Sequence, residues 1–139
     1  SETARCYAYI ISECDANTSK FYKGELEEIY NEAWGREYFD KVAGKNCYAI
    51  YTNVFKRICK TGNFNPEAFI SWALKKEFLN ATRQIDVERA VLVTESYQKT
   101  TDKPEILRGA NNSPTKVVKF GLSSSRCYVL VRPEETAEE

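Results

Sequence analysis

In the segment Cys47–Thr82, a short strand is predicted to lead at once into two short helices, and this arrangement leaves few folds open to the chain. The segment opens with an apolar run, through Tyr51, that predicts a buried strand. Val54–Lys60 predicts the first helix, because its apolar residues recur at three- and four-residue spacing and so share one face. Two residues of types that favour helix N-termini, Thr52 and Asn53, stand just before it and are predicted to cap it.

The second helix of the segment is predicted over Pro66–Leu79. Asn65 is a favourable cap, and proline is favoured at the first helical position because its φ angle is already helical. Gly62, between the two helices, is predicted to adopt the left-handed conformation that ends many helices. A glycine turn allows two short helices to pack at a steep angle, so the segment predicts a helix-turn-helix.

The residues before this segment are less decisive. Residues 3–22 predict one helix from their apolar spacing, and Asn17–Ser19 weakens or breaks its end. The next stretch, Glu25–Gly44, fits two descriptions: a helical stripe, or a strand over Glu28–Trp34 with alternating faces. Gly35 is predicted to end either version.

The residues after the segment predict β structure. Val87–Val93 is apolar and β-branched and predicts a strand, whereas Lys99–Pro114 is polar and predicts a mobile loop. Two alternating runs, Thr115–Leu122 and Arg126–Val131, predict a β-hairpin whose turn is Ser123–Ser125.

Together these elements predict a single α+β domain of the winged-helix type, in which a hairpin packs as a wing beside a helix-turn-helix. A chain of 139 residues suits one domain. We assign residues 1–133 to this domain and regard 86–114 as an insertion or long loop within it. Residues 134–139 hold four glutamates and predict a disordered acidic tail.

Composition argues against several classes of enzyme. The chain has no histidine, which removes the usual general base and the commonest metal ligand. It also has no Gly-x-x-x-x-Gly-Lys-Ser/Thr loop, so it should not hydrolyse nucleotides. The stretch Glu95–Lys99 has the wrong spacing for the metal site of a nuclease. We therefore expect no catalysis, no cofactor, no metal and no small-molecule substrate.

The five cysteines form no Cys-x-x-Cys pair, and each is flanked by apolar or aromatic residues, so we expect reduced, buried thiols. No apolar run approaches the roughly 18 residues of a membrane span, and no signal peptide is evident, so a cytoplasmic location without a membrane partner is expected. Methionine is absent: either an initiator was removed or the chain is a piece of a larger one.

The net charge is zero, since 20 basic residues balance 20 acidic ones, and this value does not by itself indicate nucleic-acid binding. Charge can still be segregated on the surface. Basic and polar side chains on the outer sides of the two helices and on the hairpin could neutralise DNA phosphates. The candidates are Lys56, Arg57, Lys60, Ser71, Lys75, Lys76, Lys116, Lys119 and Arg126. The alternative is an ordinary helical hairpin with solvated lysines and a soluble strand edge.

Tyr48–Leu79 also resembles the C-terminal region of large replication ATPases of mobile elements, which are described as DNA primases or helicases and carry a conserved region of unknown function. Weaker similarity extends from Tyr7 to Leu130, but residues 86–110 do not fit it. The matching positions are Tyr48, Val54-Phe55, Ile58-Cys59, Gly62, Asn65-Pro66, Ala68-Phe69, Trp72 and Lys75-Lys76.

The resemblance implies a winged-helix appendage that helps a motor ATPase, in the same chain or a separate one, to engage DNA. Two alternatives stay open. One is a winged-helix module that docks a protein partner of the same machinery. The other is a small stand-alone phage or plasmid protein that inhibits a host factor.

Overall fold

In the computed structural model, the described part of the chain forms an α+β fold in which three α-helices pack on a curled five-stranded sheet. The helices are α1 (Glu2–Ala16), α2 (Thr52–Thr61) and α3 (Pro66–Lys75), and the strands are β1 (Phe21–Tyr22), β2 (Gly35–Asp40), β3 (Lys45–Tyr51), β4 (Lys116–Phe120) and β5 (Ser123–Val131). The structure describes residues 1–23, 28–29, 31–41, 43–80, 114–120 and 123–134.

The sheet has the strand order β1-β2-β3-β5-β4. β1 is parallel to β2, and every other neighbouring pair is antiparallel. The central pairing joins β3 to β5, with Cys47 opposite Val131 and Tyr51 opposite Cys127. Because β3 ends at Tyr51 and α2 begins at Thr52, the central strand feeds directly into the helix pair.

One face of the sheet packs against the helices. Tyr48 and Ile50 of β3 and Tyr128 of β5 lie in this core, and the ring of Phe55 from α2 lies 4.4 Å from the ring of Tyr128. The helices themselves meet through Phe55 and Phe69, whose ring centroids are 5.9 Å apart. This packing of aromatic side chains holds α2 and α3 in a fixed orientation on the sheet.

The other face of the sheet forms a second core because the sheet curls on itself. Cys47, Val129 and other small apolar side chains are buried there. The curl brings the two ends of the sheet together: the rings of Tyr22 and Phe120 are 5.8 Å apart, and Arg36 donates a hydrogen bond of 3.1 Å to the carbonyl oxygen of Lys119.

Two predictions for the N-terminal part need correction. The helix predicted over 3–22 ends at Ala16, and the chain continues through a 3-10 turn, Thr18–Lys20, into β1. Gly35 was predicted to end an element, but it begins β2. A Cβ atom at Gly35 would lie 1.7 Å from the carbonyl oxygen of Ala49, so glycine is needed there for the close approach of β2 and β3.

The turn between α2 and α3 uses a different residue from the one predicted. Gly62 has φ −84°, whereas Asn63 has φ 61° and is left-handed. The Phe64 amide donates to the carbonyl of Cys59 at 2.8 Å, which is the hydrogen bond that closes a Schellman ending. Gly62 is instead required by space, since a Cβ atom there would lie 2.6 Å from the ring of Tyr9.

Both ends of the helix pair also differ from the prediction. Tyr51, not Thr52 or Asn53, is the N-cap of α2, and it makes no side-chain capping bond. Asn65 does cap α3, since its side chain accepts from the Ala68 amide at 3.1 Å. α3 ends at Lys75 rather than near Leu79, which instead bridges to β5.

The predicted hairpin exists as β4 and β5, but its turn is placed differently. Ser123–Ser125 was predicted as the turn, whereas these serines begin β5 and pair with residues 118–120 of β4. Strand pairing with β4 outweighs the turn preference of serine here. The strand predicted over Val87–Val93 lies outside the described residues, as do residues 99–113 of the predicted loop.

The prediction for the cysteines is confirmed. All five thiols are buried and free of disulfides. Burial raises the pKa of Cys47 to about 11 and that of Cys127 to about 12, so both remain protonated at neutral pH.

Candidate nucleic-acid interface

The outer face of α2 is the most basic surface of the helix pair. Val54, Phe55, Ile58 and Cys59 turn inward and are buried, so helical geometry places the intervening polar residues outward. Lys56, Arg57 and Lys60 are all exposed there, and α2 contains no acidic residue. With Asn53 and Thr61, these cations line an open groove.

The outer face of α3 carries much less charge. Phe69, Ile70 and Ala73 point into the core, while Trp72 packs among the rings of Tyr7, Phe69 and Phe78. The exposed residues of α3 are Glu67, Ala68, Ser71 and Lys75. Lys76 follows the helix and is exposed, but so is Glu77.

The hairpin presents two of the predicted cations on one side. Lys119 and Arg126 are exposed, and the register places Arg126 opposite Val117, which is 58% exposed. Side chains on a strand alternate between faces, so Val117, Lys119 and Arg126 share a face. Arg126 also donates to the Thr115 hydroxyl at 3.0 Å, which restrains its side chain.

Lys116 belongs to an internal ion pair. Its ammonium lies 3.2 Å from a carboxylate oxygen of Asp40, which is 7% exposed, and 3.4 Å from the side-chain oxygen of Asn80. Burial alone raises the pKa of Asp40, but hydrogen bonds from the Ala43 amide and Lys116, with the charge of Lys116, outweigh it and leave that pKa below its usual value. Lys116 therefore ties β4 to the end of β2.

Arg57 also has an acidic partner. Its two terminal nitrogens donate to the two carboxylate oxygens of Glu32, at 2.5 and 2.9 Å. The same carboxylate accepts from the indole nitrogen of Trp34 at 3.3 Å, and Lys20 lies 4.6 Å above the Trp34 ring. The hydrogen bond from Arg57 lowers the pKa of Glu32, so the carboxylate stays charged.

The sequence pattern did not single out Glu32, and it gave Trp34 no definite position because the stretch Glu25–Gly44 fitted either a helix or a strand. Glu32 lies 25 residues before Arg57 in the chain, within a segment whose secondary structure was ambiguous. The fold brings the two side chains together: the Tyr51 amide, just before α2, donates to the carbonyl of Trp34, just before β2. By contrast, Lys56 and Lys60 have no ion-pair partner among the described residues.

Among the described residues, no group of acidic or cysteine side chains could hold a metal ion. None of the helices in the described ranges is long and apolar enough to cross a membrane.

The helix pair fed by a central strand defines the chain as a helix-turn-helix domain, a class that typically binds DNA. The chain belongs to the Cch helix turn helix domain family, whose model matches residues 1–135. This match points to DNA binding and indicates no catalytic family. Neither the curated proteins nor the solved structures contain a significant match to this chain.

Proposed function

We propose that this chain is a winged-helix DNA-binding domain that holds the DNA backbone through α2, the C-terminal end of α3 and the β4–β5 hairpin. The order β3, α2, α3, β4, β5, with β5 between β3 and β4, supports the winged-helix assignment. In this arrangement the hairpin is the wing. We assign residues 1–133 to the domain, 86–114 to an insertion or long loop within it, and 134–139 to an acidic tail.

The observation that carries the proposal is the separation of charge. α2 bears three exposed cations and no acid, and the wing face bears Lys119 and Arg126. α1 instead carries Glu2, Glu13 and Asp15 against a single arginine. A chain of zero net charge can thus present a basic surface to a polyanion.

The distribution of charge also says what kind of contact to expect. Lysines contact phosphates as point charges, and such contacts do not distinguish one base from another. The exposed side chains of α3 that could hydrogen-bond to base edges are Glu67, Ser71 and Lys75. Phosphate contacts should therefore dominate, and affinity should fall with salt. Because Lys116 forms an ion pair with Asp40, we assign it a structural role and omit Lys116 from the proposed DNA-contact surface.

The direct test is fluorescence anisotropy with a labelled duplex of about two helical turns, and with a single strand of equal length, at about 50 mM salt. We expect binding to at least one of them, weakening as salt is raised. If neither DNA binds at low salt, the proposal fails.

The replication context is a further part of the proposal, and it rests on the resemblance of Tyr48–Leu79 to replication ATPases of mobile elements. A near-neutral domain binds weakly alone, and several copies on an oligomeric motor would raise the effective affinity. The genomic neighbourhood tests this: an ATPase encoded in frame or next to this domain is expected, and its absence would remove the context but not the DNA binding.

A second function, docking of a protein partner from the same machinery, is favoured by two exposed apolar side chains. Phe39 on β2 is 55% exposed and Val117 on β4 is 58% exposed. Affinity capture with proteins of the same operon tests it, with Phe39→Ser and Val117→Ser as variants. Capture that both variants leave unchanged would exclude these residues as the docking surface.

A further inference from the structure

The bidentate contact between Glu32 and Arg57 lies on the basic face of α2, where DNA phosphates are proposed to bind. Arg57 offers a planar pair of donors, a geometry that suits carboxylates and phosphates equally well. Both donors are already taken by the two oxygens of Glu32. Of the three cations on α2, Arg57 is thus the one whose phosphate-binding fork is occupied.

Glu32 is also held in place from its other side. Its Oε1 atom accepts from the Trp34 indole nitrogen, and the Trp34 ring is fixed in the core, 7% exposed and 6.2 Å from the ring of Phe21. The Trp34 amide donates to the Lys20 carbonyl at 2.7 Å, and its carbonyl accepts from the Tyr51 amide at 2.9 Å. The Glu32 carboxylate is therefore held by Trp34, whose ring is in the core and whose backbone bonds to Lys20 and Tyr51.

The pair nevertheless lies at the surface. The side chains of Arg57 and Glu32 are 48% and 50% exposed, so a phosphate can reach the guanidinium. An exposed ion pair of this kind is weak, so a strong polyanion can compete with it. Lys56 and Lys60, one position before and one turn after Arg57, would bring the polyanion close.

We propose that Glu32 is an autoinhibitory phosphate mimic, which occupies Arg57 and lowers the affinity of the α2 face for the DNA backbone. This inference rests on the DNA-binding function proposed above. In the resting domain α2 then uses two cations rather than three. Removal of the Glu32 charge frees Arg57 to contact a phosphate, so any such change strengthens DNA binding.

Glu32→Gln tests this, because glutamine keeps the size of the side chain and can still accept from Trp34. Glu2→Gln is the matched control: Glu2 also pairs with an exposed arginine, Arg5, at 3.0 Å, and its loss changes the net charge by the same amount. Both variants, together with Arg57→Ala and the double variant Glu32→Gln/Arg57→Ala, are titrated with the same duplex over a range of salt concentrations.

We expect Glu32→Gln to bind about three- to tenfold more tightly at low salt, and its plot of log affinity against log salt to steepen by about 0.9, the value of one added phosphate contact. Glu2→Gln should change affinity less than about twofold. Arg57→Ala should cost little alone and should abolish the gain in the double variant.

If the wild type binds but Glu32→Gln gains no more than Glu2→Gln, the autoinhibitory role is overturned while the DNA-binding proposal stands. A gain that persists in the double variant would also overturn it, because the effect would then not pass through Arg57. If neither the wild type nor Glu32→Gln binds DNA at low salt, the proposed function itself fails.

Discussion

Helices α2 and α3 each span ten residues and end in the same way, yet their outer faces differ in charge. α2 ends with Asn63 in the left-handed conformation followed by Phe64, and α3 ends with Glu77 in that conformation followed by Phe78. The outer face of α2 is wholly basic or neutral, whereas that of α3 and its end combines glutamate with lysine.

This contrast changes which helix we expect to make most of the DNA contacts. In many helix-turn-helix proteins the second helix enters the major groove and reads bases. Here the first helix of the pair carries more cations. We therefore expect a domain that binds the DNA phosphate backbone and discriminates little between DNA sequences.

Removing the α2 cations should have the largest effect. The variant Lys56→Ala/Arg57→Ala/Lys60→Ala should lose about 30- to 100-fold in DNA affinity at low salt. It loses two cations that have no ion-pair partner in the described ranges and a third, Arg57, that is paired with Glu32. The matched control replaces Arg5, Lys41 and Lys45 by alanine and should lose less than about fivefold by net charge alone. Equal losses in the two variants would contradict a localised surface.

Lys116 should behave in the opposite way to the α2 cations. Lys116→Ala leaves Asp40 buried without its ion-pair partner and should lower the free energy of unfolding by about 2 kcal/mol at neutral pH, with DNA affinity nearly unchanged. The depressed pKa of Asp40 means that this pair stabilises the fold above the unfolded pKa of about 3.9.

The stabilisation by the pair is lost as the pH falls through the lower folded pKa of Asp40. Urea titrations of the wild type and Lys116→Ala should therefore converge as the pH is lowered below about 4. A loss of DNA affinity in Lys116→Ala without loss of stability would place Lys116 in the interface instead.

The end of α3 should matter less than α2. Lys75→Ala/Lys76→Ala should weaken DNA binding by about tenfold or less at low salt, because Glu77 beside these lysines already offsets part of their charge. Anisotropy under the same conditions measures it. A loss greater than that of the α2 triple variant would reverse the proposed order of the two helices.

The left-handed residues that end the two helices should also differ. Glu77→Gly should raise the free energy of unfolding by about 0.5–1 kcal/mol, since glutamate has φ 62° there and glycine adopts this conformation without strain. Asn63→Gly should change stability less, because asparagine tolerates the conformation. Thermal denaturation compares them, and equal effects would show that Glu77 is not strained.

The smallest effect is expected at Ser71. Ser71→Ala should change affinity for any duplex by less than about 0.5 kcal/mol and should leave the ranking of different duplexes unaltered, as expected for a surface change outside the main contacts. A competition assay with pooled duplexes measures the ranking. A changed ranking would show that α3 reads bases.

The sequence predicted the strand, the helix pair and the hairpin well, because each has a strong local signal. The capping by Asn65 and the inward faces of both helices follow from residue types and spacing, which act within a few residues. The same locality explains the correct prediction that the cysteines are buried.

The incorrect predictions concern residues whose structure depends on contacts with residues far away in the sequence. Gly35 begins β2 because Ala49 lies against it, and Gly62 is needed because of Tyr9 rather than for a left-handed φ. Ser123–Ser125 is strand because β4 pairs with it. At the candidate site, local patterning predicted that Lys56, Lys60 and Lys119 would be exposed, but it could not reveal that Glu32 and Asp40 pair with Arg57 and Lys116.

The salt dependence of duplex binding by the wild type and by the α2 triple variant tests whether α2 is the main site of DNA backbone contact. We expect log affinity to fall with log salt with a slope between about −3 and −5 for the wild type. The slope of the variant should be shallower by about 2, because Lys56 and Lys60 are each proposed to contact one phosphate. A slope near zero in the wild type, or equal slopes in both proteins, would contradict DNA backbone contacts centred on α2.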